Sequence, residues 1–278
     1  VTGSSLGSLA PLLAIAVALF GTLLVFAARC ALLGRPHTPA VESRGPSPFG
    51  KWLQEWWIWL FDPLVRLCVR AGVGPDAITA SSAVVVAVAA VLLATGDLPT
   101  GGWIYLFGAS LDLVDGRVAR ATGRATRAGA FLDSTLDRVA ELLAFGGLAV
   151  HFRGSQILYA ALAAAFASVL VSYARARGES LGAGEAARVG GMQRPERIAF
   201  TGLACVLSPL AEAWAGPGGA RTFVGAALTA VAVLSAGTAL RRAVSIHGAL
   251  SALERTDRGG SRAPTLRLVE RRDARYGP

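Results

Sequence analysis

The residues best equipped for chemistry lie in two short stretches. The first is Asp112-Leu-Val-Asp115-Gly116-Arg-Val-Ala119-Arg120; the second, eight residues later, is Gly129-Ala-Phe-Leu-Asp133-Ser-Thr-Leu-Asp137. Asp112 and Asp115 are three apart, and Asp133 and Asp137 four apart, so on helices each pair shares a face. The connection over 121–128 is short and contains Gly123. Two helices joined that tightly run antiparallel and bring all four carboxylates to one end. Converging carboxylates without countercharge repel each other. Hard divalent cations with oxygen ligands, Mg²⁺ or Mn²⁺, relieve that repulsion, and the task such a cluster suits is binding metal beside a phosphate. Gly116 and Ala119 read two ways: small side chains let a ligand approach the backbone, or they let helices pack. Gly129 reads equally as a turn residue. Arg120, one turn from Gly116, offers a guanidinium to a phosphate.

The elements that must hold these residues are apolar. Of 278 residues, 53% are hydrophobic and 16% charged, against about 25% charged in soluble domains; the mean hydropathy is +0.51. This composition predicts an all-α, polytopic integral membrane protein, in which carboxylates are expensive and rarely kept without a task. Stretches long enough to span a bilayer occur at 6–28, 78–95, 102–121, 131–151, 156–176, 197–215 and 222–241. Residues 1–33 read as an N-terminal transmembrane anchor, uncleaved because no basic region precedes it. Residues 34–49 are a Pro-, Ser- and Gly-rich linker. Residues 50–74 begin Lys51-Trp52-Leu-Gln-Glu-Trp56-Trp57-Ile-Trp59, which reads as an amphipathic helix lying in the membrane interface, or as a face packed on the core. Residues 75–245 form the helical domain, and 246–278 a basic, polar tail.

Charge orients the chain. All 27 Lys and Arg residues except Arg153 and Arg221 fall in segments on one side of the predicted bundle, which places that side, with the aspartates, in the cytoplasm and the N-terminus outside. The net charge of +9 is therefore membrane topology rather than nucleic-acid binding, with attraction to anionic lipid and phosphorylated substrates. Cys30, Cys68 and Cys205, and His37, His151 and His247, are scattered and form neither a disulfide framework nor a zinc site. A transporter would carry its acids nearer mid-membrane and across repeats.

The pattern Asp-x2-Asp-Gly-x2-Ala-Arg-x8-Gly-x3-Asp-x3-Asp resembles the signature of the CDP-alcohol phosphotransferase family, and residues 112–137 match every fixed position. The resemblance covers about residues 60–245. It implies a core of six transmembrane helices, here with an extra N-terminal one, a homodimer, and an active site on the cytoplasmic face of a bacterial or archaeal membrane. It implies that a CDP-linked lipid such as CDP-diacylglycerol binds with its diphosphate beside two Mg²⁺ or Mn²⁺ ions, that an acceptor hydroxyl attacks the lipid-side phosphorus, and that CMP leaves. On this carry-over Asp112, Asp115 and Asp133 are metal ligands and Asp137 is the general base and a further ligand. Gly116, Ala119, Arg120 and Gly129 line the CDP-lipid site. Pro75-Asp76-Ala-Ile-Thr79 resembles the family's Pro-Asn/Asp-x-x-Thr, with Asp76 and Thr79 in the same site; the alternative is a helix N-terminus with its cap.

A second region addresses the acceptor: Ser172-Tyr173-Ala-Arg175-Ala-Arg177-Gly178-Glu179, then Gln193-Arg194-Pro-Glu196-Arg197. Membrane-flanking charge with glutamate partners is the plain reading. The functional reading is a phosphate pocket, since arginine binds phosphate bidentately. The segments look like those of phosphatidylinositol-phosphate and archaetidylinositol-phosphate synthases, with Gly178 in place of Ala and Gln193 in place of Glu. That likeness implies that Ser172, Arg175, Arg177, Arg194 and Arg197 hold the phosphate of 1L-myo-inositol 1-phosphate. Glycerol 3-phosphate, giving phosphatidylglycerol phosphate, is the alternative acceptor, and a non-enzymatic membrane scaffold the alternative class.

Overall fold

Each of the seven apolar stretches folds as helix in the computed structural model, and among the described residues there is no strand. The structure describes residues 3–36 and 50–260; most of the expected linker, His37, and the tail beyond 260 lie outside them. The helices are α1 (Gly3–Leu33), α2 (Gly50–Leu60), α3 (Asp62–Arg70), α4 (Pro75–Thr95), α5 (Leu98–Ala121), α6 (Arg127–His151), α7 (Ile157–Ser180), α8 (Arg194–Val206), α9 (Ser208–Ala215) and α10 (Gly219–Gly260), with a 3₁₀ turn at Gly184–Arg188 before α8.

Three expected boundaries differ. The 50–74 stretch is two helices, broken at Phe61, where Asp62 and Pro63 open a new N-terminus. The 197–215 stretch bends by 50° between α8 and α9, because Pro209 cannot continue a helical hydrogen-bond ladder. The tail expected from 246 is still helix to Gly260; at 42 residues, α10 is roughly 63 Å long, twice the hydrocarbon thickness. Among the described residues, four helices are long and apolar enough to cross a membrane, or five if the bent α8–α9 pair is one span. Helices α5 and α6 fall outside that set, and they are the two that carry the aspartates.

Packing centres on α4, which lies against both α5 and α6, while α7 pairs with α10 and α8 with α5. Where α4 meets α6 the backbones nearly touch: a Cβ on Gly147 would stand 2.3 Å from the Ala90 carbonyl oxygen, so only glycine fits. Leu93, Leu148, Phe145, Leu228 and Tyr105 fill the main core. Helix α1 lies at the periphery, with Phe26 set between Trp52 and Trp59 at ring-centroid distances of 5.4 and 5.5 Å. The tryptophans of α2 thus pack on protein. Trp56 and Glu55 are buried, and Glu55 accepts from Arg35 at 2.5 Å.

Candidate active site

The turn between α5 and α6 sets the site. Gly123 takes a left-handed φ of +68°, the conformation that ends many helices, and Arg124 N–H donates back to the Ala119 carbonyl at 2.9 Å. Thr126 Oγ1 then caps α6 by accepting from Gly129 N–H at 3.0 Å. The chain reverses within five residues and the aspartate pairs face each other.

Carboxylate oxygens of Asp112, Asp133 and Asp137 lie within 4.8 Å of one another. Asp133 Oδ1 is buried without a hydrogen-bond partner. An acceptor-only oxygen in that state, among two further carboxylates, fits a divalent cation. Asp115 stands apart from this trio. It is 4% exposed, its Oδ2 accepts from Thr79 Oγ1 at 2.6 Å, and its Oδ1 accepts from Gly116 N–H.

Thr79 therefore serves Asp115 and is not a cap; the residue at the N-cap position of α4 is Gly74, with no side-chain bond. Asp76 also joins the site from the first turn of α4: a Cβ on Gly129 would stand 3.1 Å from its Oδ1, so Gly129 is where α6 makes room for α4. Arg120 folds back over Gly116, with Nη1 3.4 Å from where a Cβ would be. Ala119 is half-buried on the same stretch. Replacing Thr79 by Val leaves the Asp115 carboxylate one donor short, a loss of about 1.5–3 kcal/mol for a bond to a charged group. The expected result is a 10- to 100-fold fall in turnover with the protein still folded, measured as CMP release by purified protein.

The arginines divide. Arg194 opens α8 and bridges the cluster, with Nη1 2.7 Å from Asp112 Oδ2 and Nη2 2.6 Å from Asp137 Oδ1. Arg197 does not match the expectation of an arginine open to phosphate. It is 1% exposed, donates through Nε and Nη2 to both oxygens of Glu141 at 2.6 and 3.0 Å, and through Nη1 to the Met192 carbonyl at 3.1 Å. Glu141 is the reason, and it was missed in the sequence. It lies one turn beyond Asp137 on the same face of α6, and a lone glutamate inside an apolar helix signals a buried partner.

Arg175 and Arg177 are exposed at the end of α7, where Arg175 pairs with Glu179 at 3.2 Å, and Ser172 is half-buried. Arg242 is a second residue the sequence hid among flanking charges. It is 2% exposed, donates to the carbonyls of Val189 and Val171 at 3.0 and 2.8 Å, and lies in the electrostatic field of Arg175, Arg197 and Glu179. Gly178 has its own reason: a Cβ there would stand 2.7 Å from Ile246 Cδ1, so an alanine would displace the Ile246 side chain that α10 packs against α7.

A helical membrane protein with a carboxylate cluster suited to divalent metal and bridged by Arg194 defines the class of metal-dependent transferases acting on phosphorylated substrates. Residues 73–242 match the CDP-alcohol phosphatidyltransferase family, and the chain belongs to it. It is 36% identical over 219 residues to the phosphatidylinositol phosphate synthase of Streptomyces avermitilis, an alignment covering 77% of this chain and 87% of the relative. It is 34% identical over 212 residues to that of Mycobacteroides abscessus, covering 73% and 92%. Among solved structures it is similar to Mycobacterium tuberculosis phosphatidylinositol phosphate synthase with CDP-DAG bound, at TM-score 0.58 and 29% identity, over 66% of this chain and 92% of that one. The manganese and citrate complex of the same enzyme gives TM-score 0.58 and 28% identity, over 66% and 87%.

Proposed function

We propose that this protein is a phosphatidylinositol phosphate synthase, moving the phosphatidyl group of CDP-diacylglycerol onto 1L-myo-inositol 1-phosphate and releasing CMP. The observation that carries the reaction is the trio Asp112, Asp133 and Asp137, with oxygens within 4.8 Å and Asp115 locked beside it by Thr79. Asp112, Asp115, Asp133 and Asp137 would hold two Mg²⁺ or Mn²⁺ ions. When bound, these supply countercharge to the diphosphate and to the leaving phosphate oxygen. The chain's own residues do the rest. Gly116 and Ala119 leave room for the CDP moiety against α5, and Arg120, Asp76 and Gly129 border it. Asp137 takes the proton of the acceptor hydroxyl onto a carboxylate oxygen as that hydroxyl attacks the lipid-side phosphorus. Arg194, between Asp112 and Asp137, orients these carboxylates and lies at the border with the acceptor.

Ser172, Arg175 and Arg177 receive the acceptor phosphate, with Arg242 beneath them and Arg194 at the border; these four arginines make an unphosphorylated acceptor such as serine a poor match. The relatives' names support inositol phosphate over glycerol 3-phosphate. The arginine distribution supports a cytoplasmic site and an outward N-terminus, and the family resemblance supports a homodimer. CMP release by the purified protein, measured with inositol 1-phosphate, glycerol 3-phosphate and serine in turn, tests this reading. The expected result is release with inositol 1-phosphate alone; release no greater than with water would refute that acceptor. Arg175→Ala is expected to raise the KM for inositol 1-phosphate about tenfold, the loss of one charge-assisted phosphate contact, with Mn²⁺ binding unchanged.

A further inference from the structure

The polar contacts that tie α2 and α3 to the bundle fall on one stripe of α5. Trp57 Nε1 donates to Ser110 Oγ at 3.2 Å. Arg117 Nη1 donates to the Ile58 carbonyl at 3.0 Å, and its Nη2 is ion-paired with Asp62. Ser110 and Arg117 are seven residues apart, which at about 100° per residue places them within roughly 20° of each other on the helix. Asp112 and Asp115 lie between them in sequence but about 140–200° away in angle, on the opposite face. Between the two pins and just beyond the second, Leu111, Val114 and Val118 pack in one cluster with Phe61 and Val65. The back of the motif-bearing end of α5 is therefore held by α2 and α3, while its front presents the carboxylates.

We propose that α2–α3 is a positioning platform for the metal-binding end of α5, and that Arg117, pinned by Asp62 and Ile58, is the positioning residue that sets the rotation of Asp112 and Asp115. The proposal rests on the divalent-metal reading of those aspartates. Geometry gives its scale. A carboxylate oxygen stands about 6 Å from the helix axis, so a 20° rotation moves it by about 2 Å, as much as an entire Mg²⁺–oxygen bond. A snorkelling arginine would extend along its own helix towards water; Arg117 instead reaches partners 55 and 59 residues away in sequence. The platform is itself anchored, because Glu55 of α2 holds Arg35 and Phe26 of α1 lies between Trp52 and Trp59. The segment before the family domain is thereby linked to the site.

The test is Mn²⁺ binding by the full chain in detergent without substrate, followed by the electron paramagnetic resonance of free Mn²⁺. Arg117→Gln and Asp62→Asn are each expected to weaken binding about 10- to 100-fold, the range of lost outer-shell partners. Arg153→Gln, far from this clamp in the chain, is expected to change nothing. The exchange Arg117→Asp with Asp62→Arg is expected to return affinity to within about threefold of wild type, which loss of packing alone would not do. If Arg117→Gln fails to fold, Asp62→Asn, changed on α3 alone, answers the same question. Unchanged affinity in the single variants, or a charge exchange that recovers nothing, overturns the platform. Asp112→Asn separates the two readings: if it binds Mn²⁺ as wild type does, the metal reading fails and takes the platform with it.

Discussion

Asp133→Asn is expected to reduce CMP release by at least 100- to 1,000-fold, the scale on which enzymes lose a group that organises developing charge. The substitution preserves shape and removes only charge. Asp133 Oδ1 is buried with no donor and belongs to the trio with Asp112 and Asp137. An amide there keeps one weak ligand oxygen and adds an N–H₂ group that competes with any cation. The loss should appear equally as lost Mn²⁺ binding in the absence of substrate, so that activity and metal binding fall together. Turnover within tenfold of wild type would remove Asp133 from the metal site and return it to helix packing.

The largest effect on stability is expected at the Glu141–Arg197 pair. Both residues are buried, at 4% and 1% exposure, and joined by two hydrogen bonds. Removing one partner strands a charge in the bundle, which costs about 3–5 kcal/mol. Arg197→Ala and Glu141→Ala should each unfold at markedly lower temperature, measured by thermal denaturation in detergent. The double substitution Glu141→Leu with Arg197→Met leaves no orphan charge and should recover most of that loss. Activity should fall in all three, because the pair fastens α8 to α6 one turn from Arg194, which spans Asp112 and Asp137. Single variants as stable as wild type would mean that the pair is water-accessible and carries no such role.

The site was legible in the sequence to different depths. The aspartates, Gly116 and Gly129 lie within one local hairpin, and helical periodicity with a tight turn brings all four carboxylates to one end of the bundle. Thr79 was legible only as an ambiguity, since a threonine in the first turn of a helix serves a cap as well as a ligand site. The structure decides it through α4 packing on α5, which places Thr79 Oγ1 2.6 Å from Asp115. Arg194 and Arg197 look alike in sequence, three apart at a helix start. They part because α6 puts Asp137 opposite one and Glu141 opposite the other.

The amino-acid sequence by itself determined the class of protein, the order of its apolar stretches along the chain, and the four carboxylates with their family. These depend on composition and on spacings within a single helix or turn, where covalent geometry leaves little choice. Tertiary structure alone decided that Asp115 stands outside the trio, that Arg197 is buried by Glu141, that Arg242 lies beneath the α7 arginines, and that α2 and α3 hold the back of α5. Each of those depends on which helices pack together across 36 to 71 residues of chain. Helical periodicity names the face a residue occupies, but only packing names its partner.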